Sequence, residues 1–179
     1  MLEKDVERVL LTQEEIEELL DGLAERINKD YNGRRLIAVG ILKGAAVFYA
    51  DLVRRLNAVD VRFDFMAVSS YGASTKSTGA VRILKDLDHS IEGEDVLIVE
   101  DIIDSGRTLS YLIDILGKRK PESIHLCTLL DKPERRVRDV KVDYSCFNIP
   151  DEFVVGYGLD YAQKYRNLPF IGVVELGEN

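Results

Sequence analysis

Three carboxylates and a turn of small hydroxylated residues crowd into one stretch of this chain, Glu100-Asp101-Ile102-Ile103-Asp104-Ser105-Gly106-Arg107-Thr108. The apolar run Val96-Leu97-Ile98-Val99 precedes it, and Leu109, Leu112, Ile113 and Leu116 follow at helical spacing. A buried strand therefore delivers the acids, and a Ser-Gly turn opens a helix directly after them. Free N–H groups and the positive dipole end at a helix N-terminus suit a phosphate, with the Ser105 and Thr108 hydroxyls added and Gly106 letting the backbone approach closely. Three carboxylates beside an anion repel it unless a divalent cation or a polyhydroxyl ligand lies between them. A sugar phosphate with Mg²⁺ fits both halves. The competing explanation is that Asp104 or Ser105 merely caps the helix and the acids face solvent; a cap needs one such residue, and here several stand at a strand's end.

The surrounding pattern supplies the elements that position this stretch. Thr12 with Glu15 three residues on is a capping-box signature, and Ile16, Leu19, Leu20, Leu23 and Ile27 then repeat at helical spacing. Arg35 to Leu42 reads as a buried strand, and Gly44 to Leu56 as a helix whose core face is Val47, Phe48, Leu52 and Val53. Val59, Val61, Phe63, Phe65 and Ala67 alternate with Asp60, Arg62 and Asp64 at the strand period. The polar segment from Ser69 to Gly79 has no apolar period and predicts an exposed, mobile loop before a strand near Val81 to Leu84. Strands are expected over Asp95 to Ile103, Ser123 to Leu130, Lys141 to Phe147, Phe153 to Val155 and Phe170 to Leu176, with Gly117 capping the helix after Asp104. Alternating strands and helices predict one α/β domain over residues 1–179, built on a mostly parallel twisted sheet flanked by helices. Ligands in such sheets bind beyond the carboxyl ends of the strands, where the acidic stretch falls.

Composition excludes several classes. The 179 residues are 46% hydrophobic and 31% charged, neither disordered nor membrane-embedded. With 24 Lys+Arg against 32 Asp+Glu the net charge is −8, which disfavours a sequence-independent grip on nucleic acid. A charged start and no long apolar run predict a cytoplasmic protein without a membrane partner. Cys127 and Cys146 lack C-x-x-C spacing and His89 and His125 form no ligand pair, so disulfide and zinc readings drop out. No G-x-x-x-x-G-K-[ST] occurs, and Gly156-Tyr157-Gly158-Leu159-Asp160-Tyr161 lacks the third glycine of a dinucleotide fingerprint, which leaves it an unrelated turn.

VEDIIDSGRTL resembles the 5-phosphoribosyl-1-diphosphate (PRPP) signature of the type I phosphoribosyltransferases, and its Glu-Asp pair followed by Asp looks like the hypoxanthine-guanine subgroup. ILKGAAVFYADL, SSYG, LLDKPERR and IPDEFVVGYGLDYAQKYRNLPFIGV are similar to that family's remaining blocks, in order, over nearly the whole chain. The resemblance implies the type I fold with a small hood from the terminal segments. It also implies transfer of phosphoribose from PRPP to N9 of hypoxanthine or guanine, with Mg²⁺ as cofactor, in a homodimer or homotetramer. On the same footing, Glu100 and Asp101 meet the ribose hydroxyls directly or through Mg²⁺, and Asp104 is the acid/base at purine N7. Asp104, Ser105, Gly106, Arg107 and Thr108 hold the 5′-phosphate. Lys43, Gly44 and Arg166 bind pyrophosphate, with the Leu42-Lys43 peptide cis. Ser70 and Tyr71 belong to a mobile loop that closes over the site. Lys132 donates to the purine O6, Phe153 stacks on the base, Val154 offers backbone groups to its edge, and Asp160 serves the exocyclic edge or a second Mg²⁺.

Taken alone, Lys132 reads as a surface lysine, Phe153 as core and Arg166 as a surface charge. An ammonium donates to a carbonyl and cannot accept from an amine, so a lysine at the base selects 6-oxopurines over adenine. The alternative from another class is a PRPP-binding regulator that binds nucleic acid through Lys118-Arg119-Lys120 and Arg135, Arg136 and Arg138, against the net charge.

Overall fold

The computed structural model describes residues 6–70 and 81–174. In chain order these form β1 (Arg8–Leu11), α1 (Gln13–Asp30), β2 (Arg35–Leu42), α2 (Ala46–Val53), β3 (Asp60–Ser70), β4 (Val81–Lys85) and β5 (Asp95–Ile103). They continue with α3 (Arg107–Gly117), β6 (Ser123–Asp131), β7 (Tyr144–Asn148), β8 (Val154–Val155) and β9 (Ile171–Val173). Six strands make one sheet in the order β4-β3-β2-β5-β6-β7, and β4 alone runs antiparallel to its neighbour. The ends of the chain meet in a second, three-stranded antiparallel sheet, β1-β9-β8, which is the expected hood.

The central strands carry apolar residues on both faces because both faces are covered. Leu36, Ala38, Leu97 and Val99 pack toward Ile16, Leu20, Leu23 and Ile27 of α1 and Phe48 and Leu52 of α2. Ile37, Val39, Val96 and Ile98 point the other way, onto Leu109, Leu112 and Leu116 of α3. Each such fully buried side chain is worth about 1.5–3 kcal/mol relative to exposure, so the two cores fix the pleat of β2 and β5 rigidly.

Strand order then decides where a ligand goes. From β2 the chain passes through α2 to β3 on one side, whereas β5 lies on the other side of β2 and continues through α3 to β6. Beyond the carboxyl ends of β2 and β5 the connections diverge, which opens the crevice where open α/β sheets bind ligands.

Several boundaries differ from the sequence expectation. β1 carries no periodic signal and was not anticipated; it exists because β9 pairs with it, Arg8 opposite Val173. α2 is shorter than Gly44 to Leu56, since Gly44 and Ala45 form the turn before it, and Val47 is 37% exposed while Tyr49 takes the core place. On β3 the alternation fails: Phe63 is 60% exposed, and Asp64 is buried because it accepts the N–H groups of Phe65 and Asp88. β7 starts at Tyr144 rather than Lys141, β9 is shorter than Phe170 to Leu176, and Gly117 is the last residue of α3 with Lys118 at the cap. Most of the segment Ser69 to Gly79 lies outside the described residues, Tyr71 included; Ser69 and Ser70 end β3.

The capping box is formed as expected: Glu15 N–H donates to Thr12 Oγ1 at 3.2 Å and Thr12 N–H to Glu15 Oε2 at 2.8 Å. Replacing Thr12 with Ala is expected to lower stability by about 1 kcal/mol, read as a shift of the urea unfolding midpoint at unchanged slope.

Candidate active site

β5 delivers Glu100 and Asp101 at its carboxyl end and passes through Asp104-Ser105-Gly106 into α3. Gly106 has φ +74°, and a Cβ there would lie 2.9 Å from Arg136 Cδ and 3.1 Å from the Arg138 carbonyl, so only glycine fits the turn. Asp104 does not cap the helix: its Oδ1 accepts from Arg135 Nε at 3.0 Å, and the Ser105 hydroxyl stands a long 3.5 Å from the Arg107 N–H. Among the described residues no side chain caps α3, and its first turn borders a cavity of about 230 Å³ lined by residues 100–109. The five positions from Asp104 to Thr108 all line that cavity.

Glu100 and Asp101 lie side by side, and the Asp101 N–H donates to Glu100 Oε1 at 3.2 Å. Burial, and after it the Asp101 charge, holds the Glu100 carboxyl well above the usual carboxylate range. Burial also raises Asp101, opposed by its hydrogen bonds to Glu100 and to the Ile102 N–H and by the Arg166 charge. Burial thus opposes ionisation at both carboxyls, more strongly at Glu100. The loop after β2 presses on this pair: the Leu42-Lys43 peptide is cis, as expected, and a Cβ on Gly44 would lie 1.9 Å from Asp101 Oδ2. Gly44 in turn touches the turn at Gly156-Tyr157-Gly158, where φ is +96°, +50° and +101°; a Cβ on Gly158 would lie 2.2 Å from the Gly44 carbonyl oxygen. The turn expected to be unrelated therefore packs directly on the loop that presses on Asp101.

A larger cavity, about 530 Å³, opens beside the first and is lined by Asp101, Asp104, Lys132, Phe153, Val154 and Asp160 among others. Lys132 is buried at the end of β6, with Nζ donating to the Glu152 carbonyl at 2.6 Å, so it is no surface lysine. Phe153 is 38% exposed at the cavity wall and meets Tyr161 edge to face, rings 5.5 Å apart, so it is not core either. Val154 begins β8, against β9. Asp160 Oδ1 pairs with Arg166 Nη2 at 2.6 Å and its Oδ2 accepts from the Gln163 N–H, while Arg166 Nη1 donates to the Gly158 carbonyl at 2.7 Å. Lys43 Nζ lies 3.5 Å from Gln163 Oε1, which brings the Lys43 loop and the Arg166 segment to one rim.

Residues 9–162 match the model of the phosphoribosyl transferase domain. The chain belongs to the phosphoribosyltransferase family. It is 50% identical over 175 residues to a hypoxanthine-guanine phosphoribosyltransferase of Streptococcus thermophilus, covering 98% of this chain and 97% of that one. To the protein of that name in Bacillus subtilis it is 52% identical over the same length and coverage. A crystal structure of a hypoxanthine phosphoribosyltransferase from Staphylococcus aureus superposes with a TM-score of 0.95 at 49% identity, covering 99% of this chain and 97% of that one. The type I phosphoribosyltransferase fold expected from the sequence is the one observed.

The expected metal-binding carboxylates fall in two places. Glu100 and Asp101 stand together, but Asp160 is engaged by Arg166, and among the described residues no three His, Cys, Asp or Glu side chains surround a common point. Sequence reasoning missed Arg135 and Asp151, which bridge to each other at 3.0 Å on the cavity wall; each reads as one more charge in a polar run. Nor does it find Tyr157, whose hydroxyl donates to Asp51 Oδ2 at 2.6 Å across 106 positions of chain.

Two outcomes follow from this geometry for a phosphoribosyltransferase. Gly44→Ala forces the added methyl into Asp101 and is expected to abolish PRPP-dependent activity while circular dichroism stays native. Because Glu100 holds its proton more tightly folded than unfolded, stability falls as pH rises from about 4.5, its ordinary pKa, through its raised folded value. Glu100→Gln keeps a neutral, hydrogen-bonding side chain and is expected to flatten that decline; urea midpoints at pH 4.5 and pH 8, in chelator, measure it.

Proposed function

We propose that the 179 residues work as a single phosphoribosyltransferase domain that salvages purines, transferring the phosphoribosyl group of PRPP to N9 of hypoxanthine or guanine and releasing IMP or GMP and pyrophosphate. The observation that carries this reading is the adjacency of the two cavities, a phosphate-sized one on the first turn of α3 and a base-sized one with Lys132 and Phe153 on its wall, with Asp104 lining both. The relatives at about half identity over nearly full length bear that name.

In this reading the N-terminal turn of α3, with Ser105 and Thr108, holds the 5′-phosphate. Phe153 lies against one face of the purine and Val154 offers main-chain groups to its edge. Lys132, with one N–H committed to the Glu152 carbonyl, directs another to O6, and it has no acceptor for a 6-amino group. Asp104 takes the N7 proton as N9 bonds to the ribose carbon, while Lys43, the Gly44 loop and Arg166 stabilise the departing pyrophosphate. The Glu100-Asp101 pair fits Mg²⁺: adjacent oxygen donors, buried and short of positive charge, match a cation that takes one or two carboxylates and completes its shell with substrate oxygens and water. Mg²⁺ held there would neutralise charge on the ribose-diphosphate side. Asp160, already paired to Arg166, serves in this reading as that arginine's anchor and as a neighbour of the base, with a second Mg²⁺ as its other expected role.

The regulator reading is not favoured. Arg119, Arg135 and Arg136, which were to supply its basic face, are spent on Asp86, on Asp104 and Asp151, and on Asp131. No helix among the described residues is long and apolar enough to cross a membrane. We take the protein to act in the cytoplasm, as a homodimer or homotetramer.

Steady-state kinetics with hypoxanthine, guanine, xanthine and adenine test the assignment; adenine should be the poorest substrate, and a preference for adenine would overturn it. Asp104→Asn is expected to lower kcat by about 10²–10⁴ with PRPP binding retained. Lys132→Gln should raise purine KM more than PRPP KM and relax the bias against adenine, since an amide also accepts. Excess EDTA should stop turnover, and added Mg²⁺ restore it.

A further inference from the structure

The Lys43 loop and Arg166 come from distant parts of the chain, and a single turn touches both. Gly158 accepts from Arg166 Nη1 at 2.7 Å, its N–H donates to the Arg166 carbonyl at 3.0 Å, and its Cα packs on the Gly44 carbonyl too closely for any side chain. A turn with three successive positive φ values, two of them at glycine, has little conformational preference of its own and must be held from outside. Tyr157 is the one residue in it with a side chain to do so. Its ring is buried at 6% exposure, its N–H donates to the Leu168 carbonyl at 2.9 Å, and its hydroxyl donates to Asp51 Oδ2 at 2.6 Å. Asp51 sits in α2, the helix that begins just after the Gly44 turn, and its other carboxylate oxygen pairs with Arg54. A phenol donating to a carboxylate is a charge-assisted bond, roughly twice as strong as a neutral one.

We infer that the Tyr157–Asp51 hydrogen bond is a positioning contact, which clamps the Gly156–Gly158 turn onto the Lys43–Gly44 loop so that the loop and Arg166 meet pyrophosphate as one preorganised surface. This rests on the assignment of Lys43, Gly44 and Arg166 to pyrophosphate. Neither Tyr157 nor Asp51 touches substrate; they act through Gly158 and Gly44. Losing the clamp therefore weakens binding of the diphosphate end and leaves the base pocket, walled by Lys132 and Phe153, as it was.

Tyr157→Phe removes the hydroxyl and keeps the ring. Its KM for PRPP, and its dissociation constant for Mg²⁺-pyrophosphate measured by calorimetry, are expected to rise about five- to tenfold, the effect of losing one such hydrogen bond. The KM for hypoxanthine should change less than twofold. Asp51→Asn, which still offers the phenol an acceptor oxygen, should recover most of the pyrophosphate affinity, and Asp51→Leu should behave like Tyr157→Phe. If Tyr157→Phe fails to fold, Asp51→Leu carries the same comparison. The inference is overturned if the folded variant binds pyrophosphate within twofold of wild type, or if hypoxanthine KM rises as much as PRPP KM, the mark of a merely loosened fold. Arg166→Ala separates the two levels of the argument: unchanged pyrophosphate affinity there removes the underlying assignment, whereas weakened affinity there with normal affinity in Tyr157→Phe removes only the clamp.

Discussion

Two adjacent carboxylates, Asp101 buried and Glu100 half-buried, stand where the main chain of a neighbouring loop leaves no room for a side chain against Asp101. Gly44 lies against Asp101 because β2 and β5 are adjacent parallel strands in fixed register, Gly40 beside Val99, so the segments that leave their carboxyl ends must run over each other. Moving Gly44 off Asp101 would require a register slip between β2 and β5 that turns the apolar faces of a central strand the wrong way. The cores on either face of the sheet thus hold a local arrangement that is unfavourable in itself, since desolvation alone penalises each charge by several kcal/mol. The same burial raises the Glu100 carboxyl above its ordinary range, which lessens the charge that must be held there.

The rest of the site is arranged around that constraint. Acidic side chains nearby are each matched to a cation: Asp104 and Asp151 to Arg135, Asp131 to Arg136, Asp160 to Arg166. Among the described residues Glu100 and Asp101 form no ion pair, and the charge of Arg166 acts on Asp101 from farther away. In a chain of net charge −8, a polyanionic substrate is therefore met by a local field and not by the global one. With a Debye length of about 8 Å at physiological salt, the surface acids are screened from the crevice, while a helix N-terminus and a guanidinium in direct contact are not.

Legibility in the sequence followed how local each constraint is. β2 and β5 were readable to the residue because both of their faces are buried and each has a long apolar run, and the start and core face of α1 because its capping box and its stripe are both written within one helix. β1 escaped, since a four-residue strand has no period and is specified by β9 at the far end of the chain. Phe63 and Asp64 inverted the β3 pattern because Asp64 finds its partners in the Asp88 turn, which no period reveals. In the site, the strand-to-helix acidic stretch was legible as chemistry from residue types alone. Lys132 and Phe153 were not: each depends on where the segment around Glu152 folds back, and only likeness to a family picked them out.

The Gly156–Gly158 turn shows the same limit from the other direction. As a string it looks like half of a nucleotide-binding fingerprint, and the glycines invite that reading because close backbone approach is what such fingerprints require. Close approach is indeed why they are there, but to main-chain carbonyls of this chain: Gly156 to that of Phe170 and Gly158 to that of Gly44. The consequence passes to Arg166. A guanidinium has five donors in a rigid fork, and its bonds to Gly158 and Asp160 fix the plane of that fork without involving any substrate. An anion arriving at the remaining edge meets a group whose rotamer entropy, about 2 kcal/mol for a free arginine, has already been lost in folding. A lysine in its place could balance charge but could not be held in that plane by two partners on one side while presenting the other, so the chemistry of this rim depends on an arginine and on the glycine turn that orients it.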